Sequence, residues 1–101
     1  FVRTEEKVTV KEVIKAFEDF APLKSHKLPT APDRPVIHWP DLEAPQPRLH
    51  RNSGGGMSVS IGRLTQISEK QIRFVALVHN TIRGAAGCAL LNAESYDLLV
   101  G

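Results

Sequence analysis

The chain has 101 residues, enough for one small domain and a single core, and a domain of that size has little stability to spare. Thirteen basic residues against eleven acidic ones give a formal charge of +2, too weak and too dispersed to argue for nucleic acid or a membrane surface. One cysteine cannot close an internal disulfide, and neither a secretory segment nor a bilayer-spanning apolar run is present, so a soluble, reducing, cytoplasmic setting is the default expectation. The chain opens on Phe1, and its first residues read as the end of a strand whose partners are absent.

The first organised element is predicted from Thr9 to about Phe20. Thr9 and Glu12 form an S/T-x-x-E capping box, and Val10, Val13, Ile14, Phe17 and Phe20 recur at helical spacing. Lys11, Lys15, Glu18 and Asp19 are left on the wet face, which makes an amphipathic helix lying on a sheet. Ala21-Pro22 ends it, because proline disfavours helical geometry in the residue before it.

All seven prolines fall between positions 22 and 47. With ladder donors removed, Pro22 to Gly56 reads as a long connection holding one short edge strand, Pro35-Val36-Ile37-His38-Trp39. Arg34, Arg48 and Arg51 in this excursion have the chemistry to bind an anion, against the plainer reading of solvated or ion-paired loop arginines. Gly54-Gly55-Gly56 lacks the lysine and following helix of a phosphate loop and reads as a flexible turn into the next strand.

Met57-Ser58-Val59-Ser60-Ile61 alternates with period two, predicting a strand with one face on a core and one polar. Gln66 to Lys70 reads as a hairpin connection, and Gln71 to His79 as a central strand covered on both faces. The terminal helix is predicted from Thr81 to about Leu99, with Asn80 or Thr81 as its cap. Gly84 and Gly87 leave its first turns almost bare, so a close neighbour is expected there, either packed chain or a ligand. The elements together give an α+β class with a largely antiparallel sheet covered by helices.

The lone Cys88 has no histidine at helical spacing to activate it and reads as a buried structural thiol. His26, His38 and His50 recur every twelve residues, without the close pair typical of a zinc site, so no metal is assigned. His79 stands where it can orient the strand-to-helix turn through a hydrogen bond.

His79-Asn80-Thr81-Ile82-Arg83-Gly84-Ala85-Ala86-Gly87, followed by Leu91-Asn92-Ala93-Glu94, resembles the C-terminal cofactor-side segment of aspartate-semialdehyde dehydrogenases of the archaeal and fungal type. Lys27-Leu28-Pro29-Thr30-Ala31-Pro32, Pro45-Gln46-Pro47-Arg48-Leu49 and Gly56-Met57-Ser58-Val59-Ser60-Ile61-Gly62-Arg63 extend the resemblance in the same order. It implies a C-terminal segment in which residues 1–79 are part of a catalytic and dimerisation domain. Residues 80–101 would then be the helix that returns to an absent nucleotide-binding half of Rossmann type.

The implied enzyme is NADP-dependent and interconverts L-aspartyl-4-phosphate and L-aspartate 4-semialdehyde through a cysteine thioacyl intermediate, in the biosynthesis of lysine, threonine and methionine. Its nucleophile and general base lie outside this chain, so catalytic residues here are none and the segment alone is expected to be inactive. By resemblance Asn80 and Thr81 are the cofactor-binding residues, with Asn80 the better contact for the nicotinamide end. The implied partners are the missing N-terminal nucleotide-binding half, a small-molecule substrate and, in the intact enzyme, further copies in a homo-oligomer. The motifs are also similar to malonyl-CoA and succinyl-CoA reductases. A reading from another class is a separate, non-catalytic interaction or dimerisation module.

Overall fold

The computed structural model describes residues 1–21 and 28–100. Pro22, His26 and Lys27, and with them the proline stop of the first helix and the first of the three spaced histidines, lie outside the described residues.

Helix α1, Val10–Asp19, forms where the capping box places it. The Thr9 hydroxyl accepts the Glu12 N–H at 3.2 Å and donates to the Glu12 carboxylate at 3.1 Å. Lys15 and Asp19 pair across one turn of the wet face at 3.0 Å. Phe17 meets Phe74 edge to face, with ring centroids 5.4 Å apart, which sets the helix on the sheet. Phe20 departs from the predicted apolar face. It follows the last helical turn and stands exposed.

The sheet has four strands in the order β1-β4-β3-β2, where β1 is Val2–Arg3, β2 Val36–His38, β3 Val59–Ser68 and β4 Gln71–Leu77. Two of its three pairings are antiparallel, and the edge strand β2 runs parallel to β3. The α+β class with a largely antiparallel sheet is therefore as predicted. Strand β1 corrects one expectation. It has a partner, with Val2 opposite Ile72 and Arg3 opposite Gln71 on β4. Thr4 and Val8 continue that attachment by donating to the carbonyls of Lys70 and Glu69.

Strand β3 is longer than its alternating residues suggested. It runs on to Ser68, leaving only Glu69 and Lys70 to turn, so Gln66–Ser68 is strand rather than connection. Its register shifts after Gly62, where Arg63 takes φ 53° and its guanidinium donates to the Glu43 carbonyl at 2.7 Å. The predicted polar face is also corrected. Ser58 and Ser60 are buried together with Met57 and Ile61, and the Ser58 hydroxyl donates to the Arg34 carbonyl at 2.6 Å. Arg34, ahead of β2, thus lies over that face at Ser58, and the Ala44 carbonyl, beyond β2, lies over it at Gly62.

Strand β4 is the converse case. It is interior in the order of strands, yet only Ile72 is buried, while Val75 is 38% and the following Val78 45% exposed, so it is not covered on both faces by the described chain.

Between β2 and β3 the excursion forms a short helix α2, Pro47–His50, and a tight 3-10 turn, Ser53–Gly56. Proline at the first helical position starts α2, where a missing N–H is harmless. Gly56 shows why the glycine run is more than a flexible turn. It has φ 85°, and a Cβ there would stand 2.7 Å from Ile82 Cδ1. The turn is thus packed against the start of the C-terminal helical region.

That region opens with a π-helical turn, Ile82–Ala86, and continues as α3, Gly87–Val100. A Cβ on Gly87 would meet Met57 Sδ and lie 2.8 Å from the Ile82 carbonyl oxygen, so the close neighbour expected of this bare turn is packed chain. Farther along, Glu94 accepts the Thr30 N–H at 2.8 Å and also the Thr30 hydroxyl. Among the described residues, no helix is long and apolar enough to cross a membrane.

Candidate functional site

The end of β4 leads directly into the segment that the sequence marks out. Gly84, Ala86 and Gly87 each donate a backbone N–H five residues back, to His79, Thr81 and Ile82. This is the π register, which widens the first turn. Thr81 occupies the cap position, one of the two residues predicted for it, but its side chain makes no bond to the helix. The cap comes from His79. Its Nδ1 accepts the Ile82 N–H at 3.3 Å, and Thr81 Oγ1 lies 3.4 Å from the same nitrogen. The orienting role read for His79 from the sequence is therefore observed.

Asn80 and Thr81 are exposed and line an open cleft of about 380 Å³. Leu77 and Val78 add an apolar stretch to the lining, His79 follows them, and Pro47, Arg51 and Asn52 complete it. Arg51 is held there by α2. Its N–H bonds the Pro47 carbonyl at 3.1 Å, while the buried His50 accepts the Gln46 N–H on Nδ1 at 2.8 Å and stacks against Trp39 with centroids 4.3 Å apart.

Of the three loop arginines considered from sequence, the cleft takes in Arg51 and not Arg34 or Arg48. No sequence signal separated them, because the convergence of α2 with the end of β4 is a tertiary fact. The chemistry of the cleft is an amide that can donate and accept, a hydroxyl, a fixed cation and a short apolar surface. It suits a ligand with a flat ring and polar or anionic substituents.

The other singled-out residues lie elsewhere. Cys88 is half-buried rather than buried, 4.0 Å from the Asn92 amide nitrogen. His38 sits on β2 and His50 in α2. Among the described residues, no three His, Cys, Asp or Glu side chains gather as a metal site. Arg83, the motif's own arginine, is on the π-helical turn and does not line the cleft.

No family model matches the chain. It is 43% identical over 94 residues to the aspartate-semialdehyde dehydrogenase of Archaeoglobus fulgidus, a match that takes in 93% of this chain and 26% of that protein. It is also 43% identical over 97 residues to the malonyl CoA reductase (NADP) of Metallosphaera sedula, covering 93% of this chain and 27% of the relative. A solved aspartate-semialdehyde dehydrogenase with NADP from Candida albicans superposes with a TM-score of 0.77 at 33% identity, over 93% of this chain and 26% of that one. The chain thus spans about a quarter of the length of the curated relatives it matches. The resemblance to archaeal and fungal aspartate-semialdehyde dehydrogenases holds in sequence and in fold over nearly all of its residues.

Proposed function

From this kinship as premise, we propose that the chain is the C-terminal segment of an NADP-dependent aspartate-semialdehyde dehydrogenase. The whole enzyme interconverts L-aspartyl-4-phosphate and L-aspartate 4-semialdehyde through a cysteine thioacyl intermediate, in the cytoplasm, as a step of amino-acid biosynthesis. Residues 1–79 belong to its catalytic and dimerisation domain, and residues 80–101 are the helix that docks on the nucleotide-binding domain. The nucleophile and general base reside in the part of the enzyme that this chain does not span, so the segment by itself turns over no substrate.

The observation that carries this reading is the cleft. Asn80 and Thr81 are relieved of capping and stand exposed beside Leu77 and Val78, in one cleft with Arg51. NADPH, when bound, supplies the hydride. The residues present fit it. Asn80 would pair through its amide with the carboxamide of the nicotinamide end, Thr81 would offer a hydroxyl, and Arg51 would add a positive charge. Leu77 and Val78 would give the ring an apolar surface.

The relative from Metallosphaera sedula favours a second reading, a segment of a malonyl-CoA or succinyl-CoA reductase, in which the same cleft faces the same cofactor. The test of the shared claim is Asn80→Ala in the full-length enzyme. Losing one or two hydrogen bonds to the cofactor raises the KM for NADP roughly tenfold. An unchanged KM would remove Asn80 from the cofactor site.

A further inference from the structure

We infer that His79 is the positioning residue of this cofactor-facing turn: its imidazole caps the helical region in place of Asn80 and Thr81, and so leaves their side chains to the ligand. The inference rests on the cofactor reading of the cleft given above. The first N–H groups of a helix need acceptors, and an Asn or Thr at the cap ordinarily supplies one from its own side chain. Thr81 makes no such bond.

His79 provides two acceptors instead. Its Nδ1 takes the half-buried Ile82 N–H at 3.3 Å, and its carbonyl takes the Gly84 N–H at 3.0 Å. An accepting Nδ1 fixes the tautomer with hydrogen on Nε2. The Thr81 hydroxyl, 3.4 Å from the same Nδ1, can at most share the single lone pair that the Ile82 N–H already takes, so it stays available to a ligand. The Asn80 amide takes no part in the capping. Without the imidazole, the Ile82 N–H would recruit the Asn80 or Thr81 side chain and draw it out of the cleft.

The test uses the full-length protein with His79→Leu, which removes the acceptor, and His79→Asn, which keeps one. Loss of a cap predicts a rise of about five- to tenfold in the KM for NADP for His79→Leu. The change in kcat should stay within about twofold, and His79→Asn should recover most of the affinity. An unchanged KM, or equal damage by both variants, overturns the inference. Because His79→Leu can fail to fold, the ring tautomer of the wild-type protein is read as well, by nitrogen-15 NMR. A hydrogen-bonded, unprotonated Nδ1 with Nε2–H upholds the cap, and Nδ1–H overturns it. Wild-type protein that does not bind NADP overturns the proposed function and the ligand-facing half of this inference, while the tautomer still decides the cap.

Discussion

Gly84 and Gly87 stand one turn apart and have opposite tolerances. A Cβ on Gly84 would find only the His79 carbonyl oxygen at 3.5 Å and Asn80 Oδ1 at 3.7 Å, both ordinary contacts. Gly84→Ala should therefore raise stability by up to about 1 kcal/mol through helix propensity. A Cβ on Gly87 collides with Met57 Sδ and the Ile82 carbonyl, and the carbonyl is backbone that cannot simply rotate away. Gly87→Ala should cost about 1–3 kcal/mol, as overpacked sites do. Thermal or denaturant unfolding of the two variants checks the pair, and equal effects would contradict the packing described here. The sequence already marked both glycines as needing an explanation. It did not distinguish them, because the difference lies in Met57, thirty residues away. The same limit applied to the site. Asn80, Thr81 and the orienting His79 were legible as neighbours in one motif, whereas Arg51 reaches them only through the fold.

At the scale of elements, α3 is tied to the segment ahead of β2 by Glu94, which grips the backbone N–H and hydroxyl of Thr30. Hydrogen bonds to a charged group contribute about 1.5–3 kcal/mol when partly sheltered, so Glu94→Ala should lose about that much. Thr30→Val removes only the hydroxyl half. A double-mutant cycle should show coupling of at least about 0.5 kcal/mol, and strict additivity would mean that the contact holds nothing in solution. Elements with a local signature were readable. Helix α1 carries its own capping box and apolar spacing, and β2 was found as the short apolar run among prolines. Elements shaped by distant neighbours were not. The polar end of β3, Gln66–Ser68, looks like a turn until Gln71 and Ile72 pair with it. Helix α2 has four residues, too few for periodicity, and is fixed by His50 against Trp39. The π-helical turn leaves no trace in composition beyond its small residues.

The whole molecule is flat, 45 × 32 × 18 Å, with a radius of gyration of 14.9 Å. A compact domain of this length has about 13 Å. Its accessible surface is 7094 Å². About 5,600 Å² is usual for this mass. Among the described residues, the buried apolar core is Ala44, Met57, Ile61, Ile72 and Leu91, while Leu90, Leu98 and Leu99 on α3 are exposed. Exposed apolar side chains are spread from Phe1, Leu42 and Leu49 to Val75 on β4 and to α3, and a segment of a larger enzyme would have such surface covered by the rest of it. That agrees with a chain spanning about a quarter of its relatives. The most direct measurement is therefore made on the full-length protein: NADP reduction driven by L-aspartate 4-semialdehyde with and without inorganic phosphate, beside NADPH oxidation driven by malonyl-CoA and succinyl-CoA. We expect semialdehyde oxidation that requires both NADP and phosphate, with the thioesters idle. Turnover of a CoA thioester without phosphate-dependent semialdehyde oxidation, or no NADP-linked activity at all, would contradict that expectation.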